Sequence, residues 1–161
     1  MPALLAIVFL AAAALPAWAQ SPLVAELRLW SVRYHEEPQR IDELKAALEK
    51  AAQGDAGVHT LPALSQVCFI YGHVRAKNPE EKLEAYDRGR EAMEAALGLD
   101  SHYTNMRVGL ARTLWKKGRT ADARREALAV LDEKAPSNPA DWTVKDVPQA
   151  KALLARIKDR S

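Results

Sequence analysis

From residue 22 onward the apolar positions recur at helical spacing, and no segment shows sustained strand alternation between hairpin turns. Leu23, Leu27, Trp30 and Tyr34 lie on one face of a helix over the segment from Pro22 to His35. Pro38 restarts the chain. Ile41, Leu44 and Leu48 form the next stripe, and Gly54 stands where a left-handed C-terminal cap is expected. These two stripes predict a first helix hairpin.

A second hairpin begins at Leu61, with Leu64, Val67, Cys68 and Tyr71 on its apolar face. In Asn78-Pro79-Glu80-Glu81 the Asn caps free amides, the Pro is preorganised for a first turn, and the acids complement the helix dipole. The helix that starts there carries the stripe Leu83, Tyr86, Met93 and Leu97, pairs Glu84 with Arg88 on its wet face, and ends at Gly98. The third hairpin runs through Leu110, Ala111 and Leu114, turns at Gly118, and returns through Ala123, Ala127, Val130 and Leu131 before Pro136. Pro136 to Asp146 reads as irregular, and a last helix with Ala150, Leu153, Leu154 and Ile157 on one face closes the array. The fold class expected is all-α, an antiparallel helix-hairpin array with a C-terminal capping helix.

Three of these helices share one spacing of large and small residues. They read Leu27-x2-Trp30-Ser31-x2-Tyr34, Leu64-x2-Val67-Cys68-x2-Tyr71 and Arg107-x2-Leu110-Ala111-x2-Leu114, with the small positions 37 and then 43 residues apart. That spacing resembles the tetratricopeptide repeat, whose period is about 34 residues. The small residue lets the partner helix approach while its large neighbours lock into grooves. Arg107 departs from the pattern, standing where an aromatic or Leu is usual.

Two blocks carry a finer likeness. The first runs from Leu29-Trp30-Ser31-Val32-Arg33-Tyr34-His35 through Gln66-Val67-Cys68-Phe69-Ile70-Tyr71-Gly72 to Asn78-Pro79-Glu80-Glu81-Lys82-Leu83 and Tyr86-Asp87-Arg88-Gly89-Arg90. The second is Asn105-Met106-Arg107-Val108-Gly109-Leu110-Ala111, Lys117-Gly118-Arg119, Asn138-Pro139-Ala140-Asp141-Trp142-Thr143 and Lys145-Asp146. In these the chain resembles the tetratricopeptide T-component family associated with TRAP transporters, proteins that accompany a periplasmic solute-binding subunit. Members are usually longer, and the hairpins expected between Leu97 and Asp100 are missing. The resemblance implies a role beside a solute-binding protein, oligomeric assembly, and a concave groove lined by the first helices of successive hairpins. Mapped by position, the second copy presents Ser65, Phe69 and His73 to that groove, and the third Asn105, Val108, Arg112, Trp115 and Lys116.

The first residues alter the picture of where such an array works. Ala3 to Leu15 is an unbroken apolar run, followed by Pro16 and the triplet Ala17-Trp18-Ala19, the pattern of a secretory signal peptide over 1–19 with cleavage before Gln20. As a helix the run spans about 20 Å, short of a hydrocarbon core. The expected product is one helical domain over 20–161, periplasmic or secreted, with no stable membrane anchor once the leader is removed. Cys68 has no intramolecular partner, so helix packing has to hold the fold, and a small buried residue is its expected role.

Charge adds an asymmetry. The net charge is +2, but residues 20–103 hold 10 Lys and Arg against 14 Asp and Glu, whereas residues 104–161 hold 13 against 7. Such polarity can steer head-to-tail association or an anionic ligand and offers little to nucleic acid. No metal or nucleophile motif stands out: His35, His59, His73 and His102 are scattered, and no phosphate loop or dinucleotide fingerprint occurs. No cofactor and no catalysis are expected. The function read from the sequence is an exported scaffold that binds a protein or small anionic ligand, with Arg112, Trp115 and Lys116 as its anion-selective cluster. The alternative is an envelope assembly factor or chaperone holding a peptide in the same groove.

Overall fold

The computed structural model describes residues 22–54 and 56–158, so the leader expected over 1–19 and the cleavage expected before Gln20 fall outside the described residues. The described chain is all-helical. Helices α1 (Pro22–Arg33) and α2 (Gln39–Gly54), α3 (Thr60–Val74) and α4 (Pro79–Leu99), and α5 (Thr104–Lys116) and α6 (Thr120–Asp132) form three successive hairpins. A short α7 (Pro139–Asp141) continues through a π-helical turn, Trp142–Asp146, into α8 (Val147–Lys158).

The hairpins bury two apolar cores. Leu27 and Trp30 of α1, Ile41, Leu44 and Leu48 of α2, and Leu61, Leu64, Val67 and Cys68 of α3 make the first. Val108, Leu110, Ala111 and Leu114 of α5, Ala123, Ala127 and Val130 of α6, and Ala150, Leu153 and Ile157 of α8 make the second. Helix α4 joins them, giving Ala92 and Ala96 to the first core and Met93 to the second. The two blocks of sequence therefore meet across one helix, and only residues 100–103 separate α4 from α5.

The tightest crossing is α3 on α4, and it depends on glycines. A Cβ on Gly72 would stand 2.6 Å from Cε1 of Tyr86, and one on Gly89 would stand 3.2 Å from the Ser65 carbonyl and 3.3 Å from Cys68 Cβ. This close approach explains why the stripe expected for α4 is wrong in part. The helix buries Ala85, Gly89, Ala92, Met93 and Ala96, and Leu83 is left 57% exposed. Small side chains let the backbones come together, and the bulky Leu83 lies off that seam. On the wet face Arg88 pairs with Glu91 at 3.4 Å instead of Glu84.

Helix ends follow the caps read from the sequence at two places and depart from them at two others. The Asn78 side chain accepts a hydrogen bond from the Glu81 amide at 2.8 Å, as expected of an N-cap ahead of Pro79. Gly118 has φ 77°, and the amides of Arg119 and Gly118 donate to the carbonyls of Leu114 and Trp115, which together make a Schellman cap. Gly54, by contrast, is the last residue of α2 itself and has no left-handed φ. Gly98 lies within α4, which runs one residue further.

The segment Pro136 to Asp146 is not irregular throughout. Asn138 accepts from the Asp141 amide at 3.2 Å with Pro139 following, the same start signal as Asn78-Pro79, and helical backbone runs on from there. The π turn precedes Pro148, with the Val147 amide donating to the Trp142 carbonyl. A proline inside an α-helix removes a donor and crowds the carbonyl four residues earlier, and a widened turn accommodates both. The turn also carries two cross-links. Trp142 Nε1 donates to the Val130 carbonyl at 2.8 Å, and buried Asp146 accepts from Thr104 Oγ1 at 2.7 Å, fastening the start of α5.

Candidate functional site

Helices α1, α3 and α5, the first of each hairpin, line a surface with two adjoining grooves. One, of about 880 Å³, is bounded by Val24 and Arg28 of α1, Pro62 and Gln66 of α3, Met106 of α5 and the turn around Asn138. The other, of about 720 Å³, lies towards the C-terminal ends of α3 and α5, between Tyr34, Val74, Leu83 and Lys117. Phe69, Gly109 and Arg112 border both. Their position on the pair α3 and α5 follows from the repeat, which puts Leu64, Val67 and Cys68, and Leu110, Ala111 and Leu114, into the cores and turns the intervening residues outward.

The residues expected at the site divide between the grooves. Ser65, itself buried, and the exposed Asn105 line the first, together with Val108. Exposed His73 and Lys116 line the second. Phe69 and Arg112 serve both. Trp115 lines neither: it packs, partly buried, against the core of α5, α6 and α8. The helical step from Arg112 to Lys116 keeps those two on one face, whereas Trp115 is turned about 100° away from Lys116, towards α6. The expected cluster of one indole between two cations is therefore a pair of cations alone.

Sequence spacing missed the residues that make the second groove apolar. Ile70, Val74, Leu83 and Tyr86 come from α3 and α4, and their approach to α5 depends on how the second hairpin packs on the third. Phe69 and Tyr86 lie with ring centroids 5.5 Å apart, tilted by 36°. The one available signal was Leu83, a large aliphatic residue standing on α4 away from its small-residue seam.

The electrostatics of this groove are uneven. Lys117 is bonded to Asp87, and this contact, with help from Arg90, holds the Asp87 carboxyl below its ordinary range. The ammonium of Lys82 lies 5.8 Å from the Tyr86 ring. Arg112 and Lys116 have no carboxylate or ring partner among the described residues. Two cations on adjacent turns of α5 thus face an apolar surface without an internal counter-charge.

Little else near the grooves offers reactivity. Cys68 is fully buried and burial pushes its thiol up to about 11, so it stays protonated and out of reach of solutes. Among the described residues no group of three or more His, Cys, Asp and Glu is placed to hold a metal ion. Nor is any described helix long and apolar enough to cross a membrane. The arrangement offers shape, apolar area and positive charge, which are the means of binding.

Comparison with known proteins agrees with the hairpin geometry. Residues 82–157, from α4 to the end of α8, match the family described as Tetratricopeptide repeat. No curated protein and no solved structure matches the chain. Tetratricopeptide repeats mark a protein-binding scaffold. Residues 82–157 are thus similar to tetratricopeptide repeats, and the stacked antiparallel hairpins with a groove on their first helices have the form of a helical array of that type.

Proposed function

We propose that the protein is an exported, non-catalytic accessory subunit of a solute-uptake system of TRAP type, engaging a periplasmic solute-binding protein through the surface of α1, α3 and α5. The observation that carries this reading is the pair of grooves on that surface, with Arg112 and Lys116 uncompensated by any described acid. The apolar run from Ala3 to Leu15 and the triplet Ala17-Trp18-Ala19 support export, and the resemblance of the two sequence blocks to the T-component family supports the choice of system. An acidic patch on the partner would complement the excess of Lys and Arg after residue 103.

Native affinity capture from the exported fraction, with intact-mass measurement of the bait, tests the proposal. A mature chain beginning near Gln20 that retains a solute-binding protein is the expected result. Met1 retained on a membrane-bound species would overturn export. Recovery of unfolded envelope proteins in place of a solute-binding protein would overturn the uptake role and favour a chaperone.

A further inference from the structure

We infer that the second groove, at the C-terminal ends of α3 and α5, is a binding site for an amphiphilic monoanion: a carboxylate joined to an apolar body. This deepens the proposed function, because it rests on reading the surface of the first helices as the binding face.

Three observations converge. The volume, about 720 Å³, falls in the range that encloses a small organic ligand, which is roughly 300–1,000 Å³. The apolar side comes from Phe69, Ile70, Val74, Leu83 and Tyr86, and Leu83 is 57% exposed although it is a large aliphatic side chain. A partner that covers Leu83 removes apolar area from water. Arg112 and Lys116 of α5 line the same groove without a described counter-ion, while Lys117, also in the lining, is already engaged by Asp87.

The combination of these features selects the ligand. An inorganic anion satisfies the cations and leaves Leu83 wet; a neutral hydrocarbon covers Leu83 and leaves the cations unpaired. A carboxylate on an apolar chain does both, with the guanidinium of Arg112 able to take the head group in bidentate geometry. His73 also lines the groove and adds a further hydrogen-bonding group. The tilted rings of Phe69 and Tyr86 offer flat apolar area for the body.

Calorimetric titration of the mature protein with decanoate, decanol and acetate, all below any micellar concentration, tests this. Decanoate is expected to bind at least tenfold more tightly than decanol, and acetate to show no saturable heat. Arg112→Ala together with Lys116→Ala should abolish the preference of decanoate over decanol, and Leu83→Ser should weaken both long-chain ligands. All three positions are exposed, so melting temperatures should remain near wild type and exclude misfolding. Equal affinity for decanoate and decanol, or an unchanged decanoate affinity in Leu83→Ser, overturns the assignment. Failure of the uptake reading is distinguishable: decanoate then binds although native capture yields no solute-binding protein, whereas failure of the ligand assignment leaves capture intact.

Discussion

Two glycines on the same helix are predicted to respond oppositely to the same substitution. Gly98 has open space around its missing Cβ and no left-handed φ, so Gly98→Ala should only reduce the freedom of the unfolded chain. The gain expected is about 0.5–1 kcal/mol, at the lower end because Gly98 lies in the last turn of α4. At Gly89 the same methyl meets the Ser65 carbonyl at 3.2 Å and Cys68 Cβ and the Phe69 ring at 3.3 Å. The Phe69 ring can turn, but the carbonyl belongs to the backbone of α3 and Cys68 is fully buried, so neither can withdraw. Overpacking of that kind costs about 1–3 kcal/mol. Set against a helix-propensity gain near 1 kcal/mol, the net change for Gly89→Ala is a loss of up to about 2 kcal/mol. In a domain of this size about 1 kcal/mol moves the melting temperature by roughly 4 °C. Thermal unfolding followed by circular dichroism should place Gly98→Ala slightly above wild type and Gly89→Ala several degrees below it. If Gly89→Ala is stabilised as much as Gly98→Ala, then α3 and α4 are not in the close register described, and the second hairpin has been misread.

Four further outcomes follow from single contacts. Gly118→Ala forces an L side chain into φ 77° and should destabilise by about 1 kcal/mol, read as a lower urea midpoint at unchanged slope. Thr104→Val removes the donor at 2.7 Å from buried Asp146, whose other carboxylate oxygen already lacks a partner, and should cost about 1–3 kcal/mol in the same assay; an unchanged midpoint would mean that water or a rearranged backbone supplies the lost bond. Cys68, with its thiol raised to about 11 by burial, should stay silent to a thiol reagent at pH 8 in the native state and react with one equivalent after denaturation. Glu133 is held down to about 2 by the Ala135 amide first and then by His102 and the Lys134 amide. Because its folded value lies below the ordinary 4.5, its stabilising effect is complete above that pH and is lost as pH falls towards 2, so the Tm gap between wild type and Glu133→Gln should close over that window.

The sequence by itself was enough for the helices, their order and most of their buried faces. Leu27, Leu48, Leu64, Val67, Ala111 and Val130 are buried where helical periodicity puts them, because a stripe repeating every 3.6 residues can be removed from water only along one side of a helix. The caps at Asn78 and Gly118 were legible for a similar reason: their hydrogen bonds close within a few residues and need no distant partner. The helical start at Pro139 carried the same Asn-Pro signal but was obscured by the surrounding Ser and prolines. What depended on a neighbour was not readable. Leu83 and Gly89 obey periodicity equally well; only the approach of α3 decides that the glycine belongs in the seam and the leucine outside it. Trp115 and Arg112 are three residues apart on one helix, yet the packing of α5 against α6 and α8 draws the first into the core and leaves the second at the grooves. Arg107 broke the repeat pattern in sequence, and in the fold it spans to Glu126 and to the Ser101 carbonyl, each at 2.9 Å, replacing apolar packing with a polar clamp between hairpin arms. Local spacing therefore determines which residues form each helix, while the choice among its possible faces is made by the helices that come to lie beside it.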